Sequence, residues 1–107
     1  MSRRPASSDV FHAIADPNRR ALLDLLSAGE RPVKALARSF RMTLPGLSQH
    51  LRVLREAGLV ARRRQGREHI YRIRALRLKP VADWVEQYER FWRRKLRALA
   101  EFLENNA

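Results

Sequence analysis

Thr43-Leu44-Pro45-Gly46-Leu47-Ser48-Gln49-His50-Leu51-Arg52-Val53-Leu54-Arg55-Glu56-Ala57-Gly58 is the stretch on which the reading of this chain turns. Leu47, Leu51 and Leu54 recur at helical spacing and mark one buried face. Thr43 suits the N-cap, because its hydroxyl oxygen can accept from a free backbone N–H. Pro45 falls in the first turn, where a missing N–H is tolerated. Gly58 ends the helix, so the element spans 43–58. With the leucines inward, Pro45, Gly46, Ser48, Gln49 and Arg52 turn outward.

Working back towards the N-terminus, Arg41-Met42 makes a tight link to a shorter helix, Val33 to Phe40. Pro32 opens that helix, and Val33, Leu36, Ala37 and Phe40 recur at i, i+3, i+4 and i+7. Before it, Asp16-Pro17 is a strong helix start, an acceptor at the cap followed by a proline at the first helical position. Leu22, Leu23 and Leu26 stripe this helix, and Gly29 stops it. Asp9 to Ala15 reads as a short first helix with Val10, Ile14 and Phe11 on its apolar side, and residues 1–8 as a polar, flexible arm.

Towards the C-terminus the period changes. Val60 to Gln65 and Glu68 to Ile73 are two short runs around Gln65-Gly66-Arg67, which reads as a β-hairpin over 60–73 with basic side chains at and near its tip. From Leu78 to Asn106 a single long helix follows, with Pro80 near its start. Two short helices joined by a tight turn and followed by a hairpin form a winged helix-turn-helix. The expectation is thus a mainly α chain of about five helices with a small β-hairpin wing, one domain over 9–107.

Charge indicates what such a frame would bind. The 107 residues carry a formal net charge of +12, from 23 Lys and Arg against 11 Asp and Glu. Residues 33–79 hold 13 of the basic side chains and two acidic ones, Glu56 and Glu68, so nearly the whole excess lies in the block containing the two short helices and the wing. A positive block of that kind points to a polyanion, and on this frame to double-stranded DNA. The second helix of the pair fits the major groove, and its exposed N-terminal residues reach base edges. Gln49 suits a bidentate contact to adenine, with Ser48 beside it; Arg52 suits guanine or phosphate. Gly46 would let the backbone approach closely. Arg38, Arg41, Arg55 and Arg67 are phosphate candidates, with Arg64 close to the wing tip, because most contacts in such interfaces position the protein without reading sequence. The competing reading of Ser48 and Gln49 is ordinary solvent exposure.

The long helix carries a different pattern. Val81, Trp84, Val85, Tyr88, Phe91, Trp92, Leu96, Leu99, Phe102 and Leu103 form a broad apolar stripe. Five aromatics on one helix exceed what one small core can cover, and a symmetric partner would bury them. Val81, Trp84, Val85, Tyr88, Phe91, Trp92 and Leu99 are therefore expected at a homodimer seam. A ligand cavity lined by Trp84, Tyr88, Phe91 and Trp92 stays open as an alternative. A membrane-surface helix fits less well, because Arg93, Arg94, Lys95 and Arg97 are balanced by Glu86, Glu89, Glu101 and Glu104.

Several classes are disfavoured. There is no cysteine, which removes disulfides, thiolate metal sites and thiol redox sensing. No apolar run approaches the ~20 residues of a membrane span. The N-terminus lacks an apolar signal segment, so a cytoplasmic protein is the default. No Ser-His-Asp set, phosphate-cradling glycine loop or plausible carboxylate pair suggests an enzyme, and no cofactor is expected.

These segments together resemble the ArsR/SmtB family of bacterial repressors. The likeness rests on Ala15-Asp16-Pro17-Asn18-Arg19-Arg20, on Leu47-Ser48-Gln49-His50-Leu51 through Val60, and on the wing from Arg63 to Tyr71; it runs from about Val10 to Ile73. It implies a homodimeric repressor on an inverted-repeat operator, often controlling its own operon. It places Pro45, Gly46, Ser48 and Gln49 at the family's base-reading positions, with Thr43 at the cap. His50 is either a packed or capping side chain or part of the reading set.

The departures concern metal. Members that sense metal through the third helix carry cysteines there, where this chain has Lys34-Ala35-Leu36-Ala37-Arg38. Others use Asp and His on the last helix; this one has Asp83, Glu86 and Glu89 but no histidine. His12, His50 and His69 fall in three different elements, so no metal site is expected. Any small-molecule effector stays open. Two rivals remain: a low-specificity DNA-coating protein, and a winged-helix protein-interaction module.

Overall fold

The computed structural model describes residues 9–106. The expected arm, residues 1–8, lies outside them, as does Ala107. The chain forms α1 (Val10–Ile14), α2 (Pro17–Ser27), β1 (Arg31–Pro32), α3 (Val33–Ser39), α4 (Leu44–Glu56), β2 (Val60–Gln65), β3 (Glu68–Ile73), a 3₁₀ turn (Ala75–Leu78) and α5 (Lys79–Asn105).

Local chemistry sets most of the boundaries. The Asp16 carboxylate accepts from the N–H groups of Asn18 (2.8 Å) and Arg19 (3.1 Å), which satisfies two of the free donors at the start of α2. Partial burial works against its charge. The Arg19 and Asn18 N–H donors, with His50 and Arg19 nearby, outweigh that burial and hold the carboxyl below the ordinary aspartate range. Thr43 Oγ1 accepts from the Gly46 N–H at 3.2 Å and opens α4. The wing closes through a two-residue loop in which Gly66 has φ +63° and Arg67 does not take positive φ, as in a type II′ turn that needs glycine first.

The core is built from the leucine stripes. Leu22 and Leu26 of α2, Leu36 of α3, and Leu47, Leu51 and Leu54 of α4 are fully buried with Leu59 and Val60 at the root of the wing. Each such side chain contributes about 1.5–3 kcal/mol of burial. Tyr71 of β3 closes the cluster.

One element departs from the expectation. Pro32 does not simply open α3: Arg31 and Pro32 pair antiparallel with Tyr71 and Ile70, so the sheet has three strands in the order β1-β3-β2. A two-residue strand is too short to leave a periodic trace in sequence. Proline is tolerated there because it lies on an edge, where no neighbour needs its N–H.

Candidate nucleic-acid interface

The outward side of α4 is as the leucine spacing requires. Pro45, Ser48, Gln49 and Arg52 are exposed and together line a shallow, solvent-open concavity of ≈ 360 Å³. Thr43 sits at its head as the cap. Gly46 is half-buried, and a Cβ there would lie 3.2 Å from Thr43 Oγ1. Its lack of a side chain therefore preserves the cap as well as leaving room outside the helix. Leu44 is exposed on the same first turn, 59% of its surface open, and the sequence gives no reason to single it out.

The basic candidates fall on neighbouring elements. Arg38 is in the last turn of α3 and Arg41 in the link to α4, both exposed. Arg67 is exposed in the wing turn, and Arg64 folds its Nε back onto the Gly66 carbonyl at 3.1 Å. Among the described residues, Arg38, Arg41 and Arg67 take part in no ion pair. Arg52 lies 3.7 Å from Glu56, and with two-thirds of its side chain exposed this pair is worth only about 0–1 kcal/mol and is easily exchanged. Arg63 is engaged differently: it bonds Glu30 from the α2–β1 loop and Gln65 Oε1 at 2.6 Å. Lys34 of α3 stands 3.8 Å from Glu68. The wing is thus tied by charge to the elements that precede α4.

Two arginine roles were not legible in the sequence, and they bear on the open reading of His50. Arg19 donates to the carbonyls of Ala13 (2.6 Å) and His12 (3.0 Å), and Arg20 to Ile14 (2.8 Å). Both cap the free carbonyls at the end of α1. Arg19 Nη1 also lies 3.4 Å from His50 Nδ1, so one guanidinium joins α1, α2 and α4. His50 is therefore a packed side chain. A signal was available only in hindsight: two arginines directly after an Asp-Pro cap, reaching back over a short helix.

On α5, Val81 and Val85 are half-buried, whereas Trp84, Tyr88, Phe91, Trp92 and Leu99 are each at least half exposed. Trp84 packs edge-on against Phe11 of α1 (5.9 Å) and against Tyr88 (5.4 Å). Beyond that contact and the half-buried Val81 and Val85, the apolar stripe has no cover among the described residues, and no α5 residue is buried. At its start Lys79 bonds Asp83 at 2.9 Å, and that bond holds the ammonium above its ordinary range. Among the described residues no three His, Asp or Glu side chains group as metal ligands, and no helix is long and apolar enough to cross a membrane.

Known proteins agree with this geometry. Residues 14–63 match a helix-turn-helix domain family. The chain is 33% identical over 78 residues to the transcriptional repressor SdpR of Bacillus subtilis, covering 73% of this chain and 87% of that protein. A crystal structure of an ArsR family transcriptional regulator superposes with a TM-score of 0.69 at 35% identity, covering 78% of this chain and 91% of that one. The homodimeric winged helix-turn-helix DNA-binding domain of a possible ArsR-family regulator from Mycobacterium bovis superposes with a TM-score of 0.61 at 36% identity, covering 78% of each chain. A capped, outward-facing α4 beside a basic wing, shared with relatives of this extent, makes the chain a member of the ArsR family of DNA-binding transcriptional regulators rather than an enzyme.

Proposed function

We propose that this protein is a cytoplasmic homodimeric repressor that binds an inverted-repeat operator and controls its own operon. The carrying observation is the outer face of α4, where Pro45, Ser48, Gln49 and Arg52 share one open concavity, with Arg38, Arg41 and Arg67 exposed on the flanking elements. Gln49 and Ser48 read base edges, Arg52 exchanges Glu56 for guanine or phosphate, and Arg38, Arg41, Arg64 and Arg67 hold phosphates. Leu44 fits a thymine methyl group. The partner's α5 covers the stripe that contains Val81, Trp84, Val85, Tyr88, Phe91, Trp92 and Leu99. Repression is supported by the likeness to a named repressor, and dimerisation by the likeness to a homodimeric domain.

The test begins with selection of bound genomic fragments by the purified protein, which yields the operator and its neighbouring genes. Two-fold symmetry sets the half-sites ~10 base pairs apart, centre to centre. Gln49→Ala should then cost ~1–3 kcal/mol on the cognate site and relax preference at one base pair per half-site. An unchanged ranking of single-base variants would show that Gln49 does not read sequence. A low-specificity DNA-coating protein would bind random and operator duplexes within about tenfold, against a ratio of ~10³ or more for a specific regulator.

A further inference from the structure

Between residues 30 and 79 the chain has three acidic side chains, Glu30, Glu56 and Glu68, set among the basic side chains of α3, α4 and the wing. Each stands beside one cation, and the three pairs differ in geometry. Glu56 lies 3.7 Å from Arg52 and Glu68 lies 3.8 Å from Lys34, both beyond hydrogen-bond distance, with the cation's side chain 66% and 73% exposed. Such pairs are screened by water and exchange readily. Glu30 is different. Its carboxylate accepts directly from Arg63 Nη2, while Arg63 Nη1 donates to Gln65 Oε1 at 2.6 Å. Both terminal nitrogens of one guanidinium are thus held, one of them by a charge-assisted bond.

We infer that Glu30 is an affinity-limiting residue, which withholds Arg63 from the DNA backbone. The inference rests on the DNA-binding reading above and adds a residue that opposes it. The pair is not needed to place the wing. Backbone pairing runs the whole hairpin from Val60–Ile73 to Gln65–Glu68, and Arg31-Pro32, directly after Glu30, already joins β3. What the pair changes is charge. Arg63 stands on the same hairpin as the exposed Arg64 and the turn residue Arg67, both assigned to phosphate above. To reach a phosphate, Arg63 must leave two acceptors, and the freed Glu30 carboxylate then faces the same anion. Sequence-independent affinity follows the number of phosphates neutralised, so one withheld arginine lowers affinity for every duplex by a similar factor. Base reading by Ser48 and Gln49 on α4 is unaffected.

The test uses the full chain, with anisotropy on the selected operator fragment and on a random duplex of equal length. Glu30→Gln keeps the size of an exposed side chain and removes its charge. It should raise affinity for both duplexes about threefold or more at ~50 mM salt and steepen the salt slope by about 0.9. The loss of affinity between about 50 and 200 mM salt then becomes roughly 3.5 times as large as in wild type. Adding Arg63→Ala to Glu30→Gln should return the slope to wild type, and Glu68→Gln, whose Lys34 is not held, should leave it unchanged. A wild-type protein that binds neither duplex at low salt overturns the DNA reading and this inference together. Tight wild-type binding with an unchanged slope in Glu30→Gln overturns the inference alone. Weaker binding by Glu30→Gln, at an unchanged unfolding midpoint, would overturn it by making the pair a support of the wing. A gain that survives Arg63→Ala, or an equal gain in Glu68→Gln, would overturn it by showing that loss of any acidic charge suffices.

Discussion

Replacing Asp16 by alanine leaves the Asn18 and Arg19 N–H groups without their 2.8 and 3.1 Å acceptor. N-cap truncations cost about 0.5–2 kcal/mol. The upper half of that range applies here because two donors share one charged acceptor and Arg19 is half-buried. Asp16→Asn separates the cap from its charge. Asparagine caps about as well, so this variant should forgo only the charge–dipole contribution, about 0.3–1 kcal/mol at an exposed, solvent-screened end. The carboxyl is held below its ordinary value in the folded chain, so its charge contributes fully above the unfolded pKa of 3.8. The contribution fades as pH falls through the lower folded value, and wild type and Asp16→Asn should converge once the carboxyl is protonated in the folded chain as well. Urea or thermal unfolding at fixed protomer concentration measures this, since dimerisation makes the midpoint concentration-dependent. At roughly this chain length each kcal/mol moves the midpoint by about 4–8 °C. Equal stability of wild type and Asp16→Ala at pH 7 would refute the capping argument. A wild-type advantage over Asp16→Asn that persists in strong acid would refute the electrostatic one.

Four further outcomes are expected. Leu51→Ala, at a fully buried position of α4, should lower stability by about 2–5 kcal/mol in denaturant titrations. Gly66→Ala should cost about 1 kcal/mol or more even though no atom lies within 4 Å of the new Cβ, because φ +63° strains any other residue; an unchanged midpoint would contradict this. Arg67→Ala should reduce the salt slope of DNA binding by about 0.9 for each phosphate left unneutralised, whereas Arg63→Ala, whose guanidinium is held by Glu30 and Gln65, should leave the slope near wild type. Zinc, cadmium or arsenite added to the protein–DNA complex should release no DNA; stoichiometric release reversed by chelator, followed by anisotropy, would reveal a site.

The sequence alone determined the elements whose causes are local. Asp16-Pro17, Thr43 and Gly66 act within two or three residues of themselves, and the leucines of α2 and α4 repeat at the helical period, so their positions were readable directly. The outer face of α4 followed by subtraction: once Leu47, Leu51 and Leu54 are inside, Pro45, Ser48, Gln49 and Arg52 have nowhere else to point. Only the tertiary structure decided what depends on distant partners. Arg31-Pro32 becomes a strand because β3 lies beside it, not through any preference of two residues. Arg63 is drawn to Glu30, 33 residues away, while Arg67 in the same wing keeps no ion-pair partner among the described residues. Arg19 joins three helices because its long fork reaches the α1 carbonyls and His50 at once. Leu76 looks in sequence like any apolar residue, and that it remains open follows from where the chain packs around it; the α5 stripe was readable as more than one core could cover because five aromatics share one helix. Periodicity records which side of an element is buried, but it cannot record which distant group a long charged side chain will reach.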